Sequence, residues 1–190
     1  VLTDGVYSEN VANIIAKRYS LDKKKVFDAL VDNEKGILLG IETFKEYHKR
    51  VKKELPMLDY NSMIKAFKDA INWNYDMLEY CKELKKDCRI FLLSNNYSIV
   101  VEALKKANIN GTKLSDIFEG MVFSNEVKLL KPGFAIYKFL LNKYKLRPEN
   151  CIFIDDTEKN TKAAEHNKLN AITFKNVDQL KKEFKERFIF

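Results

Sequence analysis

Cys151-Ile152-Phe153-Ile154-Asp155-Asp156 is a short apolar run that stops in two adjacent carboxylates. A run of this length, bounded by polar residues and followed by helical spacing, reads as a buried strand of an α/β sheet. Ile90-Phe91-Leu92-Leu93-Ser94-Asn95-Asn96 repeats the pattern with a hydroxyl and two amides at its end, and Lys131-Pro132 marks a third loop between a strand and a helix. Parallel α/β sheets bind ligands at the carboxyl ends of their strands. There a carboxylate doublet can hold a hard divalent cation, a hydroxyl with amides can hold an anion, and a lysine can neutralise that anion. The three segments together predict a site that processes phosphate.

Working outward, the first part of the chain is helical and the rest alternates. Apolar residues at helical spacing predict helices near 8–19, 22–33, 41–54 and 60–71, as in Val11, Ile14, Ile15 and Tyr19, or Phe44, Tyr47 and Val51. Gly36, Gly40 and Pro56 punctuate them. From Asn74 onward a helix over 75–86 leads into a strand over 89–93, and a further helix opens after Ser94. A short strand over 121–123 precedes Lys131, and Pro132 is placed to start the helix that holds Ile136, Phe139 and Leu140. A strand over 151–154, a helix over 157–167, a strand over 170–174 and a helix from Val177 complete the pattern. Repeated strand–helix units imply a parallel sheet covered on both faces.

The chain has 190 residues, of which 46% are hydrophobic and 12% aromatic, enough apolar surface to build one substantial core and to exclude disorder. Cys81, Cys88 and Cys151 are odd in number and lack CxxC spacing, so they read as reduced packing residues of a cytoplasmic protein. No apolar run nears the roughly 20 residues that span a bilayer, and the opening Val1-Leu2-Thr3-Asp4-Gly5 has no signal-peptide character, so no membrane partner is expected. The net charge of +7 invites a nucleic-acid reading, but the lysine runs at 23–25, 52–53, 85–86, 105–106 and 181–182 are scattered among acids. They read as solvated helix faces whose field concentrates small anionic substrates, with no nucleic-acid partner.

Each candidate residue has an ordinary reading beside the functional one. Ser94 is either a helix N-cap or, with the amides of Asn95 and Asn96, a holder of phosphate oxygens. Lys131 is either one solvated lysine among many or the counter-charge for a transferring phosphoryl group. Asp155 and Asp156 are harder to explain as capping, because adjacent carboxylates at a buried strand end repel unless a cation or donors stabilise them. Asn160, four residues beyond Asp156, is either an exposed amide or a group turned back toward the acids. Tyr7, His48 and Trp73 lie in the helical part and receive no role.

These segments, in this order, resemble the haloacid dehalogenase-like hydrolase superfamily, most closely the branch of sugar-phosphate phosphatases and the phosphatase domain of soluble epoxide hydrolases. Leu92-Leu93-Ser94-Asn95 resembles that family's second motif and Lys131-Pro132 its third. Phe153-Ile154-Asp155-Asp156 with Asn160 resembles its fourth in the DDxxxN form. Ile117 to Ser124, Ile136-Tyr137 and Ala163-Ala164 agree as well, so the likeness spans nearly the whole chain. It implies a Rossmann-like core over 1–7 and 73–190 and a helical cap over 8–72. It implies Mg²⁺ held by Asp156 and Asp155, with Asn160 supporting them. A small phosphorylated metabolite would be held by Ser94, Asn95 and Lys131, Ser94 and Lys131 serving as catalytic groups, and an aspartyl-phosphate would form.

The family's first motif, Asp-x-Asp-Gly at the end of a leading strand, is where the chain departs. In one alignment Leu2-Thr3-Asp4-Gly5-Val6 is the motif, with Asp4 as acid/base and Leu2 in the nucleophile's place. In the other, preferred here, Val1 to Gly5 follows the motif's glycine, as in the family's DGVLTDG stretch, and Asp4 is a connection residue. Both leave the nucleophilic Asp and most of the first strand outside the sequence, so the expectation is a phosphatase whose complete form carries them upstream. A non-catalytic descendant that binds a phosphorylated ligand or a partner protein is the alternative. A phosphoacceptor receiver domain is disfavoured by chain order, since receivers place the acid pair on the first strand.

Overall fold

The computed structural model describes residues 1–3 and 7–187. Five helices come first: α1 (Tyr7–Tyr19), α2 (Lys23–Val31), α3 (Lys35–Leu38), α4 (Phe44–Glu54) and α5 (Tyr60–Asp69). The alternating part follows with α6 (Tyr75–Leu84), β1 (Phe91–Ser94), α7 (Ser98–Lys106), β2 (Asn108–Ile109), β3 (Thr112–Lys113), α8 (Leu114–Ile117) and β4 (Gly120–Phe123). It ends with α9 (Ser124–Val127), α10 (Phe134–Lys143), β5 (Ile152–Asp155), α11 (Glu158–His166), β6 (Asn170–Thr173) and α12 (Val177–Arg187). None of the described helices is long and apolar enough to cross a membrane.

The helix starts follow from capping chemistry. Asp22, Asp59 and Asn74 each accept a hydrogen bond from the backbone amide three residues on, and Thr43 closes a reciprocal box with Glu46. Pro132 does not start α10 as expected. It sits in the turn that follows the cis Lys131–Pro132 bond, and Gly133 takes the N-cap position. The helix expected over 41–54 is α4, which starts at Phe44 behind its Thr43 cap, and the short α3 that ends before Gly40 (φ +64°) was not expected. The β2–β3 hairpin went unread although Asn110-Gly111, both at positive φ, is the ordinary two-residue hairpin signal.

β1 pairs with β4 and β5 with β6, both in parallel, and alternate residues of each strand face opposite cores. Phe91, Leu93, Val122, Phe153 and Ala171 pack with Ile136, Tyr137 and Leu140 of α10 and with Ala163 and Ala164 of α11. Leu92, Phe123, Ile152, Ile154 and Ile172 pack with α6, α7 and α12 and join the core of the five-helix section. Both faces are therefore covered, the arrangement that a parallel α/β fold requires.

Trp73 and Gly40 make two of the contacts that tie the helical section to the rest of the chain. Trp73 bridges Thr3 in antiparallel fashion and the Asn74 amide donates to the Leu2 carbonyl, so the chain leaves for α1 and returns from α5 side by side. Gly40 presses against the backbone of Asn125 in α9, where an added Cβ would lie 1.9 Å from the Asn125 carbonyl oxygen. Gly40→Ala combines that overlap with a strained φ and should lower unfolding free energy by about 2 kcal/mol or more in urea denaturation. Gly111→Ala, with open space around it, should cost only the strain of its positive φ, roughly 1 kcal/mol.

Candidate active site

β1 and β5 both end in polar residues, and Lys131 joins them. Its ammonium donates to the Leu93 carbonyl of β1 at 3.1 Å and to Asp155 Oδ2 of β5 at 2.5 Å. The Lys131 backbone is fixed in turn by the Asn95 side chain, which donates to the Lys131 carbonyl at 2.9 Å and accepts from its amide at 3.0 Å. Asn95 thus positions the lysine loop, a role that its place after Ser94 did not suggest.

Asp155 is enclosed, with a side chain 6% exposed. Its Oδ1 accepts from the Thr157 amide and from the Asn160 side chain, both at 2.9 Å, while Oδ2 takes Lys131. Burial pushes its pKa up, but attraction to Lys131 and these hydrogen bonds outweigh burial and hold the carboxyl below its ordinary value. Asn160 turns back toward the acids, and its carbonyl is anchored by the Tyr137 hydroxyl at 2.8 Å. Desolvation raises the Tyr137 pKa, so that hydroxyl stays a donor at any physiological pH.

Asp156 is the open member of the pair, with its side chain 54% exposed. The Val1 nitrogen lies 3.4 Å from Asp156 Oδ2. Ser94 is half-buried at the end of β1, and among the described residues its hydroxyl makes two long hydrogen bonds of 3.5 Å, to the Asn95 carbonyl and from the Asn96 side chain. The Asn96 amide donates to Ser124 Oγ at 3.0 Å, which leaves the Asn95 amide rather than that of Asn96 for an anion. Ser124 and Tyr137 are the supporting residues that sequence reasoning missed. Ser124 had a signal, since it closes the strand Met121-Val122-Phe123 as Ser94 closes β1. Of the residues given no role, His48 is packed with Nε2 donating to the Leu58 carbonyl, whereas Tyr7 and Trp73 line the cavity described next. Asp4 lies outside the described residues.

Ser94, Asn95, Lys131, Asp155, Asp156 and Asn160 all line one cavity of about 1110 Å³. The cavity continues down between β1 and β5, lined by every residue from Ile90 to Ser94 and from Cys151 to Asp155. A sheet face would contribute only alternate residues, so the lining is two strand edges. Small-ligand pockets fill roughly 300–1,000 Å³, and this space exceeds that because it includes the slot between the edges. Among the described residues no three His, Cys, Asp or Glu side chains converge as a metal cluster.

A family model described as haloacid dehalogenase-like hydrolase matches residues 1–167. No curated protein sequence matches the chain. A HAD family enzyme of Bacteroides thetaiotaomicron superposes with a TM-score of 0.76 at 22% identity, covering 95% of this chain and 91% of that one. Its complex with magnesium and inorganic phosphate superposes with a TM-score of 0.73 at 22% identity, over 94% and 91% of the two chains. An L-2-haloacid dehalogenase of Xanthobacter autotrophicus with covalently bound chloropropionic acid gives 0.66 at 14% identity, over 100% and 80%. At these identities the likeness is one of fold.

Lys131→Met should leave Asp155 buried without its counter-charge. Its pKa should then move above the ordinary carboxylate value, read by NMR titration, and stability near neutral pH should fall by about 3–5 kcal/mol. In the unsubstituted protein the sign is fixed by the depressed pKa of Asp155. The stabilisation is present above the unfolded carboxylate pKa and is lost as pH falls through the lower folded value. Acid titration of Lys131→Met should lack that loss.

Proposed function

The chain belongs to the haloacid dehalogenase-like hydrolases, and from that premise we propose a Mg²⁺-dependent phosphatase that acts on a small phosphate monoester through an aspartyl-phosphate. The observation that carries this reading is the Lys131 bridge between Leu93 and Asp155, which sets a cation beside Ser94, Asn95 and the open Asp156 in one cavity. Hydrolysis of a phosphoryl group needs that combination of anion holders and oxygen ligands more than removal of a halide does.

In this reading the Ser94 hydroxyl and the Asn95 amide hold phosphoryl oxygens, and Lys131 offsets their charge. The donor set suits magnesium, a hard ion that takes one or two carboxylates and keeps several waters. Asp156 would hold it, since both Asp155 oxygens already accept hydrogen bonds, with Asp155 adding charge beside it. Bound magnesium would neutralise charge on the phosphoryl group. The helical section over 8–72 serves as a cap on a core of 1–7 and 73–190, supported by the paired crossings at Leu2–Thr3 and Trp73–Asn74.

The nucleophile requires a further carboxylate, because the oxygens of Asp155 are committed and Asp156 is assigned to metal. We place it on an additional parallel strand in the slot between β1 and β5, whose facing edges offer backbone partners to such a strand. A protein carrying an Asp-x-Asp-Gly strand ahead of Val1 should hydrolyse p-nitrophenyl phosphate with Mg²⁺ and lose activity with a chelator. Asp156→Asn should cut kcat/KM by about 100-fold or more. Tight phosphate binding with no turnover in that protein would overturn the phosphatase reading in favour of a non-catalytic binder.

A further inference from the structure

We infer that the cavity selects a phosphate ester whose leaving group presents a hydrogen-bond donor, best a protonated amine, and carries no second negative charge. The inference rests on the phosphatase reading and narrows its substrate class. It comes from Glu34, which lies between α2 and α3 and lines the same cavity as Ser94 and Lys131.

Tyr97 follows Ser94-Asn95-Asn96 and crosses from the strands into the helical section. Its ring is 4% exposed and lies 4.8 Å from that of Phe67, 5.9 Å from Tyr47 and 6.0 Å from Tyr7, centroid to centroid. From this aromatic wall its hydroxyl donates to Glu34 Oε2 at 2.5 Å. That single bond orients the carboxylate. Among the described residues no donor reaches Oε1, and that atom is not sealed from solvent.

Burial raises the Glu34 pKa, and only the hydrogen bond from Tyr97 works against it, with no charged neighbour lowering it further. No described lysine or arginine forms a salt bridge with it, although such pairs are numerous elsewhere. A carboxylate drawn out of water without a counter-charge is poorly stabilised, and a ligand donor that reaches Oε1 relieves the cost. An anion brought to the same place meets repulsion.

The cations of the cavity are placed elsewhere. Lys131 stands at the phosphoryl end, paired with Asp155. Arg89 and Arg147 precede β1 and β5 at the opposite ends of the strands, and they pair with Glu119 and Glu149. Lys145, the fourth cation of the lining, lies two residues before Arg147 in the chain, so among the described residues no lining cation pairs with Glu34 to await a carboxylate or a second phosphate there.

The test is calorimetric titration of the 190-residue chain with Mg²⁺ and, in turn, inorganic phosphate, phosphoethanolamine, glycerol phosphate and phosphoglycolate. Expected are binding of inorganic phosphate, tightest binding of phosphoethanolamine, and a Kd ratio of about tenfold between phosphoglycolate and phosphoethanolamine. In Glu34→Gln that ratio should fall to about unity. Wild-type protein that binds phosphate but does not prefer phosphoethanolamine overturns the inference, as does a preference that survives Glu34→Gln. Failure to bind inorganic phosphate instead removes the phosphoryl site itself, and the inference with it. The wild-type ratio decides the matter even if the variant does not fold.

Discussion

The enclosed Asp155 carboxylate is the constraint on which the site depends. Left alone at the end of β5, a charge 6% exposed would take up a proton or disrupt the strand end. Lys131, Asn160 and the Thr157 amide bring three donors to its two oxygens, and each donor is fixed from a different part of the chain. Lys131 is set by Asn95 after β1, Asn160 by Tyr137 on α10, and Thr157 by its place before α11. One acid therefore draws the loops after β1 and β5 and the start of α10 to a common point. A buried pair of this kind is weak evidence for net stability, since apolar replacements often do as well. Its consequence is register: few other arrangements of these loops satisfy the same four groups.

The adjacent Asp156 gains from that arrangement without sharing it. Two carboxylates in sequence can stay ionised together when one is neutralised internally and the other faces solvent. Asp155 discharges its field on Lys131 and leaves Asp156 as an accessible oxygen donor in the same cavity. The doublet divides its labour in this way: the inner acid builds the site, and the outer one is open to a ligand.

Much of this was legible from the chain. Apolar runs ending at Ser94 and Asp155 are read from composition alone because buried parallel strands need continuous apolar residues. The strand boundaries shifted by only one or two residues, and the turning back of Asn160 was one of its two readings, the exposed amide being the other. Side-chain roles set by contacts distant in sequence were not legible. Asn95 grips Lys131 across 36 positions, and Tyr137 reaches Asn160 across 23, with no local pattern to announce either. Pro132 misled for a related reason. Proline suits a first helical turn, but here it belongs to the loop that presents Lys131, and α10 begins two residues later. Glu34 belongs to no motif, and only its contacts with Tyr97 and the cavity single it out.

The helical section is not simply laid over the strands, because its core and theirs are continuous. Tyr97 sits three residues after Ser94 yet packs with Phe67 of α5 and Tyr47 of α4, so displacing those helices would pull on the segment that presents the hydroxyl. Gly40 makes a second fixed point against Asn125, which follows the buried Ser124 that holds the Asn96 amide. Both junctions end on the same short segment, Ser94 to Tyr97. The position of the helices and the geometry of the anion-holding loop are thus mechanically linked, through one ring and one glycine. A leaving group that engages Glu34 would act on that link directly, since Glu34 is held by the Tyr97 hydroxyl itself.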